Sequence, residues 1–221
     1  LLLRIKSQAK LVIARDTNQG ILRDAFDGLA FMWSNKVLRG VLLATLITNI
    51  FFFPYFQLTP VFARDVFEVG PVLLGIMSGM DGLGSLIGTF ILASTSIWKL
   101  VGQGRVFVGG GLLLGLGAFA FSQAPSIELA MLILVLTGLG TAVYATMQVT
   151  MTLAEADIQM RGRAMGAISL AIGTLPAGMA IVGVLAGWLG APAGLGIFSA
   201  IGIILMILVI VLWPELRKYD R

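Results

Sequence analysis

Six runs of apolar residues, each near the twenty or so a helix needs to cross a bilayer, constrain this chain most. They are Val41 to Phe62, Val72 to Ile97, Val106 to Ser122, Ile127 to Leu153, Ala164 to Leu189 and Ala193 to Trp213. Inside lipid a backbone amide has no water to bond, so a lone span must close its hydrogen bonds internally, as a helix does. Composition agrees. Hydrophobic residues make up 58% of the chain and charged ones 12%, about half the charged share of a soluble domain. The predicted fold class is all-α, an integral membrane six-helix bundle. The connections Ala63 to Pro71, Trp98 to Arg105, Gln123 to Ser126, Ala154 to Arg163 and Gly190 to Pro192 are short, which makes neighbouring spans antiparallel.

Orientation follows from the basic residues. Fourteen of the fifteen lysines and arginines fall on one side of that zigzag, leaving Arg64 alone on the other. Such asymmetry marks the cytoplasmic face, so both termini are expected there. The chain divides into a basic segment and amphipathic helix at 1–36, the bundle at 37–213 and a short cytoplasmic tail at 214–221. In the first part Leu22, Phe26, Leu29 and Trp33 recur at helical spacing with Arg23, Asp24 and Asp27 between them. That pattern predicts a helix too charged to span and suited to the membrane surface. Arg4, Lys6, Lys10 and Arg15 precede it and suit anionic lipid heads. Leu1 to Leu3 read as the stub of an earlier span, and because the chain starts at Leu1 rather than Met, an upstream part is expected.

The chain has no histidine and no cysteine. It therefore lacks the usual general base, thiolate nucleophile and transition-metal ligands. Neither enzymatic chemistry, nor a metal or cofactor, nor nucleic-acid binding is expected.

Asp81 is the one ionisable side chain deep inside a run. It lies about ten residues into the second span, roughly 15 Å along the helix and near the midplane. A charge there costs at least about 2.5–3.5 kcal/mol, so such a residue faces protein or a wet cavity, or is protonated. Its candidate role is proton or substrate binding; the alternative is a structural bond between helices. Ser78, Ser85 and Thr89 share its helical face. The fourth span carries a longer stripe, Thr137, Thr141, Tyr144, Gln148 and Thr152, and the first offers Asn49, Tyr55 and Gln57 around Pro54 and Pro60. Asn49, Gln57, Ser78, Ser85, Thr141, Tyr144 and Gln148 are candidate cavity-lining residues. Phe51, Phe52, Phe53 and Phe56 line either a substrate path or lipid. Glycines four apart, Gly75/Gly79, Gly84/Gly88, Gly111/Gly115 and Gly183/Gly187, predict close helix packing.

The order of these parts resembles the C-terminal half of a major facilitator superfamily transporter. Leu38-Arg39-Gly40-Val41-Leu42-Leu43 looks like the start of that half, and Thr59-Pro60-Val61-Phe62-Ala63-Arg64-Asp65 like the outer end of its first span. Arg161-Gly162-Arg163-Ala164-Met165-Gly166, then Pro176, Gly178 and Gly183 to Gly187, resemble the element before the fifth span and that glycine-rich span itself. The closest branch resembles enterobactin exporters and drug-efflux permeases. The family's acidic residue in the loop between spans two and three is missing here. The resemblance implies a twelve-span fold of two halves in a bacterial cytoplasmic membrane, exporting small amphipathic molecules, with proton coupling, by alternating access. Arg105, Arg161 and Arg163 become cytoplasmic gating-loop candidates, and an N-terminal six-span half or a second copy becomes the expected partner beside lipid and substrate. The rival reading is a non-transporting six-span subunit or scaffold of a larger complex.

Overall fold

The computed structural model describes residues 17–94 and 101–220, with side chains from Phe26 onward. The basic stretch Arg4 to Arg15, the Leu1 to Leu3 stub, the side chains of Leu22, Arg23 and Asp24, and the linker residues through Lys99 lie outside the described residues. Everything described is helix and connecting turn. Helix α1 is Thr17–Ser34. Six helices long and apolar enough to cross a membrane follow: α2 Lys36–Val66, α3 Pro71–Ser94, α4 Gln103–Ser122, α5 Ile127–Glu155, α6 Arg161–Leu189 and α7 Ala191–Leu212. A short helix, α8, closes the chain at Pro214–Lys218.

Local chemistry sets the boundaries. Asn35 separates α1 from α2: its Oδ1 accepts from the amides of Val37 and Leu38, capping α2, while its Nδ2 donates to Glu155 at 2.9 Å. Gly190 turns α6 into α7 at φ 82°, a left-handed conformation that favours glycine.

Two spans are interrupted. In α2 the register slips through π-turns at Thr48–Phe52 and Phe62–Val66. Between them Pro54 has no amide to give the Ile50 carbonyl. Gly178 of α6 packs against that carbonyl so closely that a Cβ would overlap it. The span α6 is itself broken near Gly173 and Thr174, ahead of Pro176.

Packing gives each span a different share of the core. The helix α3 packs on α5, α5 on α4, α4 on α7 and α7 on α6, with α2 threaded through the middle. The flanks are therefore α3 and α6. On α3 only Met77, Asp81, Gly84, Gly88 and Leu92 are buried. On the outer part of α6, Leu175–Leu189, only Gly178 and Val182 are.

Half of the predicted glycine contacts exist. Gly84 and Gly88 meet the Val135 and Leu139 carbonyls of α5, and Gly111 and Gly115 meet Tyr144 and Phe52. Gly75, Gly79 and Gly187 face open space, and Gly183 comes near only the end of Gln57. Equal spacing does not supply a partner helix; those glycines lie on the two flanks.

Helix α1 docks on the start of α6. Gly28 crosses the Arg163 backbone, Met32 is fully buried, and Asp27 pairs with Arg163 at 3.6 Å. Phe26 and Trp33, on the apolar stripe read from the sequence, stay exposed, about a third of a turn away.

Candidate functional site

Asp81 is positioned by backbone crossing. Gly138 of α5 sits against the Asp81 carbonyl, and Gly84, one turn on, against the Val135 carbonyl; a Cβ at either glycine would overlap its neighbour. The Ser85 hydroxyl donates to the Gly138 carbonyl at 3.0 Å and fastens the same crossing. This holds the carboxylate at the junction of α3, α5 and α2, where Asp81 is 7% exposed.

Its partner comes from α2. The Tyr55 hydroxyl donates to Asp81 Oδ1 at 2.5 Å. Tyr55 directly follows Pro54 and is fully buried. Phe56 stacks on its ring with centroids 4.4 Å apart and stays exposed on the outer side. A small cavity of about 30 Å³ opens beside the pair, lined by Phe56, Thr59, Met77, Ser78 and Leu134. That is room for about one water. The arrangement is a carboxylate with one fixed donor, room for a mobile one, and an aromatic wall leading out.

A second polar cluster lies about ten residues back along α2. Gln148 Nε2 donates to Thr45 Oγ1 at 2.6 Å and to the Tyr144 hydroxyl at 3.2 Å. The Thr48 hydroxyl lies 3.0 Å from the Tyr144 hydroxyl, and that of Thr45 lies 3.3 Å from it. The Tyr144 ring stacks on Phe107 at 5.0 Å. All four polar side chains are buried.

The remaining sequence candidates scatter. Asn49 is buried and donates to the Thr45 carbonyl at 2.9 Å. Thr141, Thr137 and Thr152 bond carbonyls one turn back in their own helix. Ser78 does the same from an exposed position, and Gln57 is exposed. Arg105 and Arg161 are exposed at the basic end, where Arg161 Nε donates to the Ala156 carbonyl at 3.3 Å. Arg163 is the arginine paired with Asp27. Of the phenylalanines, Phe51 packs on Phe198 and Phe52 fits between Gly115 and Gly202, so both belong to the bundle core; Phe56 is the exposed one. Sequence reading passed over Thr45 and Thr48. With Asn49 they form a polar stripe at spacings of three and one, and that signal was available.

No group of three or more carboxylates, histidines or cysteines that can hold a metal ion occurs among the described residues. No curated protein and no solved structure matches the chain. A major facilitator family model described as transmembrane secretion effector matches residues 2–221. That match and the six apolar helices place the chain in the transmembrane secretion effector family, as a membrane transporter of the major facilitator kind.

Proposed function

We propose that the chain is the C-terminal half of a secondary exporter, moving small amphipathic molecules out of the cytoplasm by alternating access and driven by protons at Asp81. The observation that carries this reading is the Tyr55–Asp81 pair. A carboxyl group at membrane depth is expensive, and this one joins a flanking span to a central span just where Pro54 interrupts it. Proton exchange at Asp81 changes what the Tyr55 hydroxyl can bond, and the interrupted helix is able to respond by bending. Phe56, Thr59 and Ser78 form the rim through which substrate or water reaches the pair.

The open flanks give the partner a place. Gly75 and Gly79 on α3 and Gly187 on α6 meet nothing within 4 Å, and exposed small residues let another helix approach closely. A second six-span half seated there encloses the substrate path between the halves. In this reading the basic end, with both termini, faces the cytoplasm of a bacterial cell.

The test is efflux from vesicles of the full transporter under an imposed pH gradient. Asp81→Asn keeps the size and the hydrogen bond but not the proton. It is expected to abolish proton-driven efflux while leaving counterflow exchange of substrate, and Asp81→Glu is expected to restore part of the driven rate. Driven efflux unchanged in Asp81→Asn removes Asp81 from the coupling.

A further inference from the structure

A groove of about 620 Å³ runs between α1 and the first turns of α2, well away from Asp81. Helix α1 contributes Phe26, Leu29, Ala30 and Trp33 to its walls, and α2 contributes Leu42 and Leu46. Phe26 is 69% and Trp33 51% exposed, on a helix already docked through its other face. Both rings are free to pack against an apolar group that enters the groove.

The mouth of the groove is polar and cationic, formed by Ser34 and Arg39. Arg39 is held in place. Its Nε donates to the Trp33 carbonyl at 2.7 Å, and its guanidinium lies 5.0 Å from the centre of the Trp33 ring. That leaves both Nη groups without a partner among the described residues. Three carboxylates at this end are engaged elsewhere: Asp27 with Arg163, Glu215 with Lys36, and Glu155 with Asn35. From Arg39 to Leu46 the α2 helix descends about 10 Å, roughly a third of the bilayer core. The groove thus runs from a fixed cation at the membrane surface to an apolar floor inside the membrane.

We propose that this groove is a binding site for an anionic phospholipid, its phosphate on the Arg39 Nη groups and one acyl chain along Leu42 and Leu46 beside the Trp33 and Phe26 rings. The planar guanidinium fork matches phosphate oxygens. A free phosphate leaves the apolar floor bare, and an apolar protein segment leaves the cation unpaired; an anionic lipid satisfies both. The bound lipid ties α1 to α2 at the basic end, independently of what the transporter carries.

The test uses the full chain reconstituted in vesicles of equal parts phosphatidylglycerol and phosphatidylcholine. A photo-crosslinking benzoylphenylalanine at position 46 is expected to capture phosphatidylglycerol. Lipid retained after detergent extraction is expected to favour phosphatidylglycerol, and Arg39→Gln is expected to lower that preference about fivefold, the worth of one cation near an anionic surface. Arg105→Gln, an exposed basic substitution outside the groove, is expected to keep it. Ala30→Trp, which fills an exposed wall position, is expected to abolish the crosslink to either lipid. Capture of protein instead of lipid from position 46 overturns the proposal. So does a phosphatidylglycerol preference unchanged in Arg39→Gln, or one lost equally in Arg105→Gln.

Discussion

Within about three turns of one helix, α2 carries two polar clusters whose surroundings differ. Near the basic end, Thr45 and Thr48 meet Tyr144 and Gln148 of α5 in a sealed knot. Beyond the π-turn and Pro54, Tyr55 meets Asp81 of α3 beside a small cavity. In the knot each group has alternatives: Thr48 also lies 3.0 Å from the Ala44 carbonyl, and Gln148 reaches two hydroxyls. At the second cluster the carboxylate has one protein donor among the described residues, and water has room to replace it. A redundant, closed network holds two helices in register. A single bond to an ionisable group, beside a cavity, is a joint that a proton can change. In the proposed mechanism the helix interruption near Pro54 lets the first cluster stay fixed while the second moves.

The sharpest way to break this contrast is to separate α3 from α5. Gly138→Leu drives a side chain into the Asp81 carbonyl. It is expected to cost more than about 3 kcal/mol, seen as loss of folded protein in detergent, because backbone cannot yield as a side-chain end does. Gly79→Leu, on the open face of the same α3 helix, is expected to leave the melting midpoint of the isolated chain unchanged. Next in size is Tyr55→Phe. Hydrogen bonds to charged groups contribute about 1.5–3 kcal/mol and neutral ones about 1. Tyr55→Phe is therefore expected to cost the larger amount in the parent and the smaller one in an Asp81→Asn background, as a double-mutant cycle in a detergent unfolding titration measures. Equal costs in both backgrounds show a carboxyl group that is neutral at rest. Tyr144→Phe is expected to cost only about 1 kcal/mol, because its partners keep other bonds.

How much of this was legible in the sequence differs between the clusters. The spans could be read because membrane crossing demands length and apolarity together, and the six helices follow the six runs within a few residues at the described ends. The depth of Asp81 could be read by counting along its helix. Its pairing with Tyr55 could not, because the π-turn at Thr48–Phe52 adds a residue to one turn and rotates everything beyond it relative to regular spacing. Phe52 and Phe56, four apart, would share a face in a regular helix, yet the turn at Phe53 and Pro54 lies between them, and one is buried in the core and the other exposed. The glycines teach the same lesson at longer range. Gly75/Gly79 and Gly84/Gly88 have the same spacing on the same helix, and only the second pair crosses α5. A spacing rule says that a close approach is permitted; the position of the neighbour decides whether it happens.

The smallest expected effect tests whether the knot's end of the molecule owes its rigidity to charge. Lys36, at the start of α2, bonds Glu215 of α8 at 3.0 Å. The same corner is closed without charge, since Gly40 packs on Leu216, and the Gly104 amide donates to the Tyr219 carbonyl at 2.9 Å. The Glu215 carboxyl is held below its ordinary value of 4.5, first by its own backbone amide and then by Lys36. Its sign follows from that direction: the charged form is favoured in the fold, so its contribution is complete above pH 4.5 and fades as pH falls through the lower folded value. The Lys36 side chain is largely open to water and that of Glu215 partly so, and there screening leaves such pairs little net worth. Glu215→Gln is thus expected to leave the thermal midpoint at pH 7 unchanged within error and to flatten slightly its decline below pH 4.5. A marked fall at pH 7 would mean that the pair, and not the Gly40 and Gly104 contacts, anchors the end of α2.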